Sequence, residues 1–332
     1  MRYITVTERR VEGLEYKRNQ YSEGVNAMLL GIDNGCYATK DSTGLIIDSM
    51  VEEVQEFDGL TPGAYRLELN GNKYLVGAGM DTVGIDKTEN EITKVLTYTV
   101  LAKHSKPGDI NTFKIVVGLP MGHYQREKDN FKDYFLNKNE YEVVALNGVR
   151  YFIKIEDVLP FPQSTGAYFL HRDKFKDRHV GVIDWGGMTI DCSIYDHKGL
   201  MRGSYFSMKN GMKVINTTVK DAINAAYGTS LKERDMEYIY KHGFKFRGEV
   251  DRQANDIIDA VVNKELDSIF YQISNKDGWD FDTMDIIFCG GGALALKKYI
   301  VGILPYAEFL DDPQFANAFG FGKVAAAEWQ ND

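Results

Sequence analysis

The chain has 332 residues, length for roughly two hydrophobic cores, and its 44% hydrophobic and 26% charged residues are the balance of a water-soluble globular protein. A formal net charge of −9 argues against broad binding to nucleic-acid phosphates, which needs clustered Lys and Arg, so contact with DNA would pass through an adaptor. Cys36, Cys192 and Cys289 lack CxxC or Cys/His spacing, which disfavours a disulfide framework and structural zinc and fits a reducing cytoplasm, and no apolar run has the length of a membrane span or a signal-peptide core.

Residues 1–27 are polar, charge-rich and weakly patterned. Two readings stand side by side for them: Met28 as an alternative translation start, or an N-terminal arm that docks on a neighbour. The first strong strand signal is Met28-Leu29-Leu30-Gly31-Ile32, followed by a turn at Asp33-Asn34-Gly35. Further strands are expected at 45–47, at 65–69 and, after an Asn70-Gly71-Asn72 hairpin turn, at 74–76. Ile92, Val95, Leu96 and Val100 give residues 89–104 helical spacing. Residues 114–117 form a buried-type strand ending at Gly118-Leu119-Pro120, residues 124–136 a polar helix, and residues 143–155 two strands around Asn147-Gly148. A helix over 164–170 follows Pro160 and Pro162.

The pattern then restarts. A strand over 179–183 leads to a turn at Asp184-Trp185-Gly186-Gly187 and a second strand over 189–195. Helices are expected over 212–227, 231–240 and 250–275, a late buried strand over 285–289 before Gly290-Gly291-Gly292, and a terminal helix over 315–328. Strand, Asp-Gly turn and strand near 33 and again near 184 read as an internal repeat, one domain length apart, with a ligand cleft expected between two similar halves.

Three glycine turns carry the chemistry. In the first, Asp33, Asn34, Gly35, Cys36 and Tyr37 stand at a strand end, where a tight turn exposes backbone N–H groups to phosphate oxygens. The Asp33 carboxylate suits a magnesium-bound water, because that ion keeps most of its hydration shell, and Lys40 adds a point charge. In the second, Gly186 and Gly187 let the backbone approach an anion, Asp184 again faces the metal, and Met188 and Thr189 complete the turn ahead of Asp191. In the third, Gly290, Gly291 and Gly292 after a buried strand permit close approach of a flat base or its ribose. Each turn also has a plain reading, as a common hairpin or a strand–helix junction; it is the repetition that favours phosphate. None matches GxGxxG or GxxxxGK[ST], which disfavours Rossmann and P-loop folds.

In this order the three turns resemble the phosphate-1, phosphate-2 and adenosine motifs of the actin, sugar-kinase and DnaK-type chaperone superfamily. The resemblance covers nearly all of 28–330. Within it, Met28 to Gly35, Gly118-Leu119-Pro120 and Pro313-Gln314-Phe315-Ala316-Asn317 look like segments of the ParM-like bacterial actins of plasmid partition. The resemblance implies an α/β, actin-like ATPase fold: two related ribonuclease H-like domains, over 28–178 and 179–314, with a nucleotide cleft between them and a C-terminal helix, 315–332, packing back on the first.

The same resemblance implies ATP (or GTP) with Mg2+ as the ligand, the ion held by Asp33 and Asp184 mostly through water. It assigns the water-positioning role to Gln163, where ParM-like proteins tend to use Glu; capping of the following helix is the plainer role. A neutral amide orients water but is a poor general base, so slow hydrolysis is expected. Lys213, Lys232 and Glu233 fall in the stretch that contacts adenine and ribose in relatives, although such charges also suit a solvated helix face. Cys36 and Tyr37 depart from the small hydroxyl residues of many relatives. The three cysteines sit in or beside the three turns, where a buried small thiol is the commoner role. A cytoplasmic, self-polymerising ATPase with a ParR-type DNA-binding adaptor is the implied function, with no direct nucleic-acid or membrane binding. The alternatives are a sugar-type kinase of the same fold and a non-catalytic, nucleotide-gated scaffold.

Overall fold

A computed structural model describes residues 27–57, 61, 63–79, 81–82, 91–136 and 141–330. The expected N-terminal arm therefore lies outside the described residues up to position 26. The chain divides into two compact units. One ends at Arg172 and is taken up again from Phe315, and the other is Asp173–Gln314.

The first unit is built on a ten-stranded sheet. Its middle is parallel: Met28–Asn34, Ile110–Leu119 and Val149–Pro162 run side by side, with Leu30 opposite Ile115 and Val158 opposite Ile115 on the other edge. Ala38–Asp41 pairs antiparallel with Met28–Asn34, so the Asp33 turn joins a hairpin. Helices pack on both faces of the parallel strands where their hydrophobic runs are near-continuous. On one face Phe113, Ile115 and Val117 meet the helices Glu91–Lys103 and Tyr124–Phe135. On the other, Leu29 and Val116 meet Phe321, Ala325 and Trp329 of the last helix, Ala316–Trp329.

Glu91–Lys103 is buried on nearly every side. Two of its buried threonines are satisfied within the helix: Thr97 and Thr99 donate to the carbonyls four residues back, 2.8 Å in each case.

Pro160 and Pro162 lie within the strand Val149–Pro162, which runs on past the expected end at 155. Glu142–Leu146 pairs with it only over Val149–Ile153, so the later part has one partner strand. Gln163 donates its N–H to Leu119 O at 2.7 Å, and in a strand alternate residues turn their N–H groups the same way. The prolines therefore fall on the side where no donor is needed, which is how a strand keeps them.

The second unit repeats the plan on a six-stranded sheet. Val180–Trp185 pairs antiparallel with Ile190–Asp196 and parallel with Asp285–Cys289. Its first long helix, Met212–Tyr227, stops at Gly228, which takes the left-handed conformation with φ 63°. Arg252–Ser274 starts where Asp251 accepts the Ala254 N–H at 2.9 Å. The helix expected over 231–240 begins late. Lys232 is extended, its N–H bonded to Asp235 Oδ2 at 2.7 Å, then a 3-10 turn over Glu233–Asp235 leads into Met236–His242. No helix among the described residues is long and apolar enough to cross a membrane.

Candidate functional site

In the first unit, the turn after Met28–Asn34 is closed by the Gly35 N–H, which lies 3.1 Å from both Asp33 O and Ala38 O. A Cβ at Gly35 would stand 2.7 Å from Ala38 O, so the turn requires glycine. Asn34 is fully buried and turns its amide inward: Nδ2 donates to Thr97 Oγ1 at 3.1 Å, and Oδ1 accepts from Thr39 at 3.2 Å. Of the turn residues Tyr37 is exposed, while Cys36 is half-buried.

Asp33 is 5% exposed, and its oxygens have separate partners. Oδ2 pairs with Lys40 Nζ at 3.2 Å, and Oδ1 accepts Gln163 Nε2 at 2.9 Å. A bond spanning 130 residues of sequence thus joins Asp33 to Gln163. The segment after Gln163 is held in an uncommon backbone state: Ser164 has φ 70° and is fully buried, and its N–H donates to Asn317 Oδ1 at 3.1 Å. Non-glycine residues in that region persist only where the surroundings fix them. Asn317, at the start of the last helix, supplies that constraint. Sequence reading notes Asn317 only as part of a resembling segment and misses its contact with Ser164.

In the second unit, Asp184 is 7% exposed and stands opposite Asp191 across the hairpin. The Gly186 N–H bonds to Thr189 O at 2.9 Å. The carbonyls of Gly186 and Gly187 accept the N–H groups of Met212 and Lys213, at 3.1 and 2.8 Å, so the turn occupies the first donors of the Met212–Tyr227 helix. Among the described residues the N–H groups of Gly187 and Met188 meet no acceptor, which leaves them for a ligand. Thr189 donates to Asp191 Oδ2 at 2.9 Å and Ser207 to Asp191 Oδ1, so Asp191 braces the turn. Gly211 and Ser207 are the residues sequence reading misses here; a Cβ at Gly211 would lie 2.6 Å from Gly187 O.

The third turn belongs to the same constellation. Gly290 has φ 88°, and a Cβ there would stand 2.4 Å from Trp185 O and 2.6 Å from Asp184 Oδ1. Gly292 gives room to the buried Trp185 ring, while Gly291 is exposed with nothing close to its missing Cβ. Lys213 is exposed one turn from Gly187. Lys232 and Glu233 are not beside it: Leu231 is tied to Asn224, 11 residues along the helix from Lys213, roughly 16 Å at helical rise.

Cys192 and Cys289 are fully buried. Burial first, then the carboxylates of Asp191 and Asp184, push the Cys192 thiol well above its ordinary value, so it stays protonated and packs as a small apolar group. No cluster of three or more His, Cys, Asp or Glu able to hold a metal occurs among the described residues. Each unit offers one buried carboxylate beside its turn, Asp33 or Asp184, a donor type that suits a magnesium ion which keeps its waters and is carried by phosphate oxygens.

Residues 31–166 match the family model for the N-terminal domain of actin-like proteins. Residues 182–301 match that for the C-terminal domain of MreB-like archaeal actin homologues. Each unit is an actin-like domain. Solved structures agree on this fold. The actin-like chain is similar to an Alp12 filament structure, at 22% identity over 92% of this chain and 100% of that one, with a TM-score of 0.67. It is similar to a 15-stranded ParM filament from Clostridium botulinum, at 19% identity over 91% and 100%, TM-score 0.72. The archaeal actin homologue Ta0583 in complex with ADP gives 20% over 90% and 99%, TM-score 0.72. No curated protein sequence matches the chain.

Proposed function

We propose that the chain is a ParM-like actin: a cytoplasmic ATPase that polymerises with its nucleotide and serves plasmid DNA segregation through an adaptor of the ParR type. One observation carries this reading. Each actin-like domain ends its first strand in a buried aspartate and a glycine turn, at Asp33-Gly35 and at Asp184-Gly187, so each domain carries its own phosphate-type cradle beside a buried carboxylate. Similarity to Alp12 and ParM filaments supports the polymerising part.

In this reading the Gly35 turn, with Cys36 and Tyr37, and the Gly186-Gly187-Met188-Thr189 turn hold phosphate oxygens, and Lys40 adds positive charge. Asp33 and Asp184 hold water molecules of the magnesium shell; the ion offsets the phosphate charge. Gly290, Gly291 and Gly292 admit the base or ribose, with Lys213 at their side. Gln163, steadied by its bond to Asp33, positions the attacking water.

Gln163→Ala is expected to slow phosphate release by about a hundredfold, the scale of a lost positioning contact, while nucleotide affinity stays within a factor of about two. Equal losses in binding and turnover would make Gln163 a structural residue only. For assembly, head-to-tail contacts between identical subunits are heterologous and do not close, so they propagate into filaments above a critical concentration. Magnesium with ATP should give sedimentable polymer above that threshold, with little for ADP; GTP in parallel reads the base preference. A protein that stays monomeric with ATP and phosphorylates a sugar would overturn the filament reading in favour of the kinase.

A further inference from the structure

The face of the first sheet that carries the last helix is only partly covered. Ala316–Trp329 shields Leu29, Val116, Leu159 and Phe161, and it ends where the Trp329 ring lies 6.0 Å from Lys114 Nζ. Towards the starts of the parallel strands the same face continues. Side chains alternate along a strand, so Ile110 shares the face of Val116. Phe152 stands directly opposite Ile110 on one side and Val143 on the other. These three form an apolar row, with the Tyr141 ring 5.2 Å from that of Phe152. Ile110 is 55% and Val143 47% exposed. Val144 and Ile153, on the opposite face, are fully buried.

We propose that this row is the docking surface for the chain's own first 26 residues, folded back on the subunit that carries them. The register gives the first reason. Met28 pairs with Phe113 and Leu29 with Lys114 in a parallel ladder, so the segment is tethered at the end of the sheet where the row stands. The second reason is reach. Strands lie about 4.8 Å apart, so the row spans roughly 10 Å, whereas 26 extended residues reach up to about 85 Å. A segment tethered at the edge of its site acts at an effective concentration on the order of millimolar, which a second copy at micromolar concentration does not match. The third reason is sequence. Ile4 and Val6 alternate with Thr5 and Thr7, a strand-type pattern of β-branched residues suited to a half-buried sheet face.

The test is thiol accessibility at Val143→Cys, an exposed position outside both glycine turns, measured without nucleotide at submicromolar protein. The full-length variant should react with a maleimide at least tenfold more slowly than the same variant lacking residues 1–24. A full-length Val143→Cys chain with Ile4→Glu and Val6→Glu should also react fast, which keeps the test decisive should the truncated chain fail to fold. Unchanged parent protein supplies the background from Cys36. Equal rates in all three chains overturn the proposal. Slow labelling of the full chain that speeds up on dilution also overturns it, since the segment then docks on a second copy.

Discussion

Asp184→Ala is expected to abolish magnesium-dependent nucleotide turnover, with a loss of about a thousandfold or more. The carboxylate is buried at the end of Val180–Trp185, and its Oδ1 lies over Gly290, where no Cβ could fit. A charge held so close to two glycine turns would act on an anion bound there, and in the proposed reading its removal leaves the hydrated magnesium ion with Asp33 alone. The strand itself should survive, because Asp184 is paired with Asp191 and with Cys289 through the backbone ladder. Thermal melting of the variant within a few degrees of the parent, with phosphate release at background, is the expected pair of results. Asp184→Asn keeps the shape and loses the charge, so it should be nearly as inactive. Turnover within about tenfold of the parent in both variants would remove Asp184 from the catalytic machinery.

How far the sequence reveals such a site depends on the range of the interactions that build it. The turns at Asp33 and Asp184 are local objects, a strand end followed by glycine, and their residues announce them. The helix over 212–227 is equally legible, with its apolar spacing and a terminal Gly228. The brace between Ser164 and Asn317 spans 153 residues and leaves no local mark; Ser164 reads as the first residue of an ordinary helix, although its φ is 70°. Gly211 likewise looks like a helix start, while its real constraint is the Gly187 backbone lying against it. Pro160 and Pro162 mislead for a related reason. Proline breaks a strand only where its N–H would have been used, and which edge is free depends on how far Glu142–Leu146 extends.

The same long-range logic gives a second large effect, far from any charge. Gly320→Ala is expected to destabilise the first unit by about 3 kcal/mol or more, the upper range for overpacking a filled interior. Thr165–Leu170 and Ala316–Trp329 touch backbone to backbone: a Cβ at Gly320 would stand 1.9 Å from Gly166 O, and one at Gly166 would stand 2.7 Å from the Asn317 Cα. No rotamer change relieves a clash with main chain, so the helices must separate. Their separation would open the core made by Phe321, Ala325 and Trp329 and pull Asn317 from Ser164. For a unit of this size the melting transition should fall by roughly 10 °C, at about 2–4 °C per kcal/mol. Gly302→Ala is the matched control. It lies inside the helix Gly291–Ile303 with nothing within 4 Å of its missing Cβ, and alanine there should stabilise by about 0.5–1 kcal/mol. Scanning calorimetry of the two variants beside the parent decides the matter: a Gly320→Ala melt that matches the parent would mean that the two helices do not meet through their backbones.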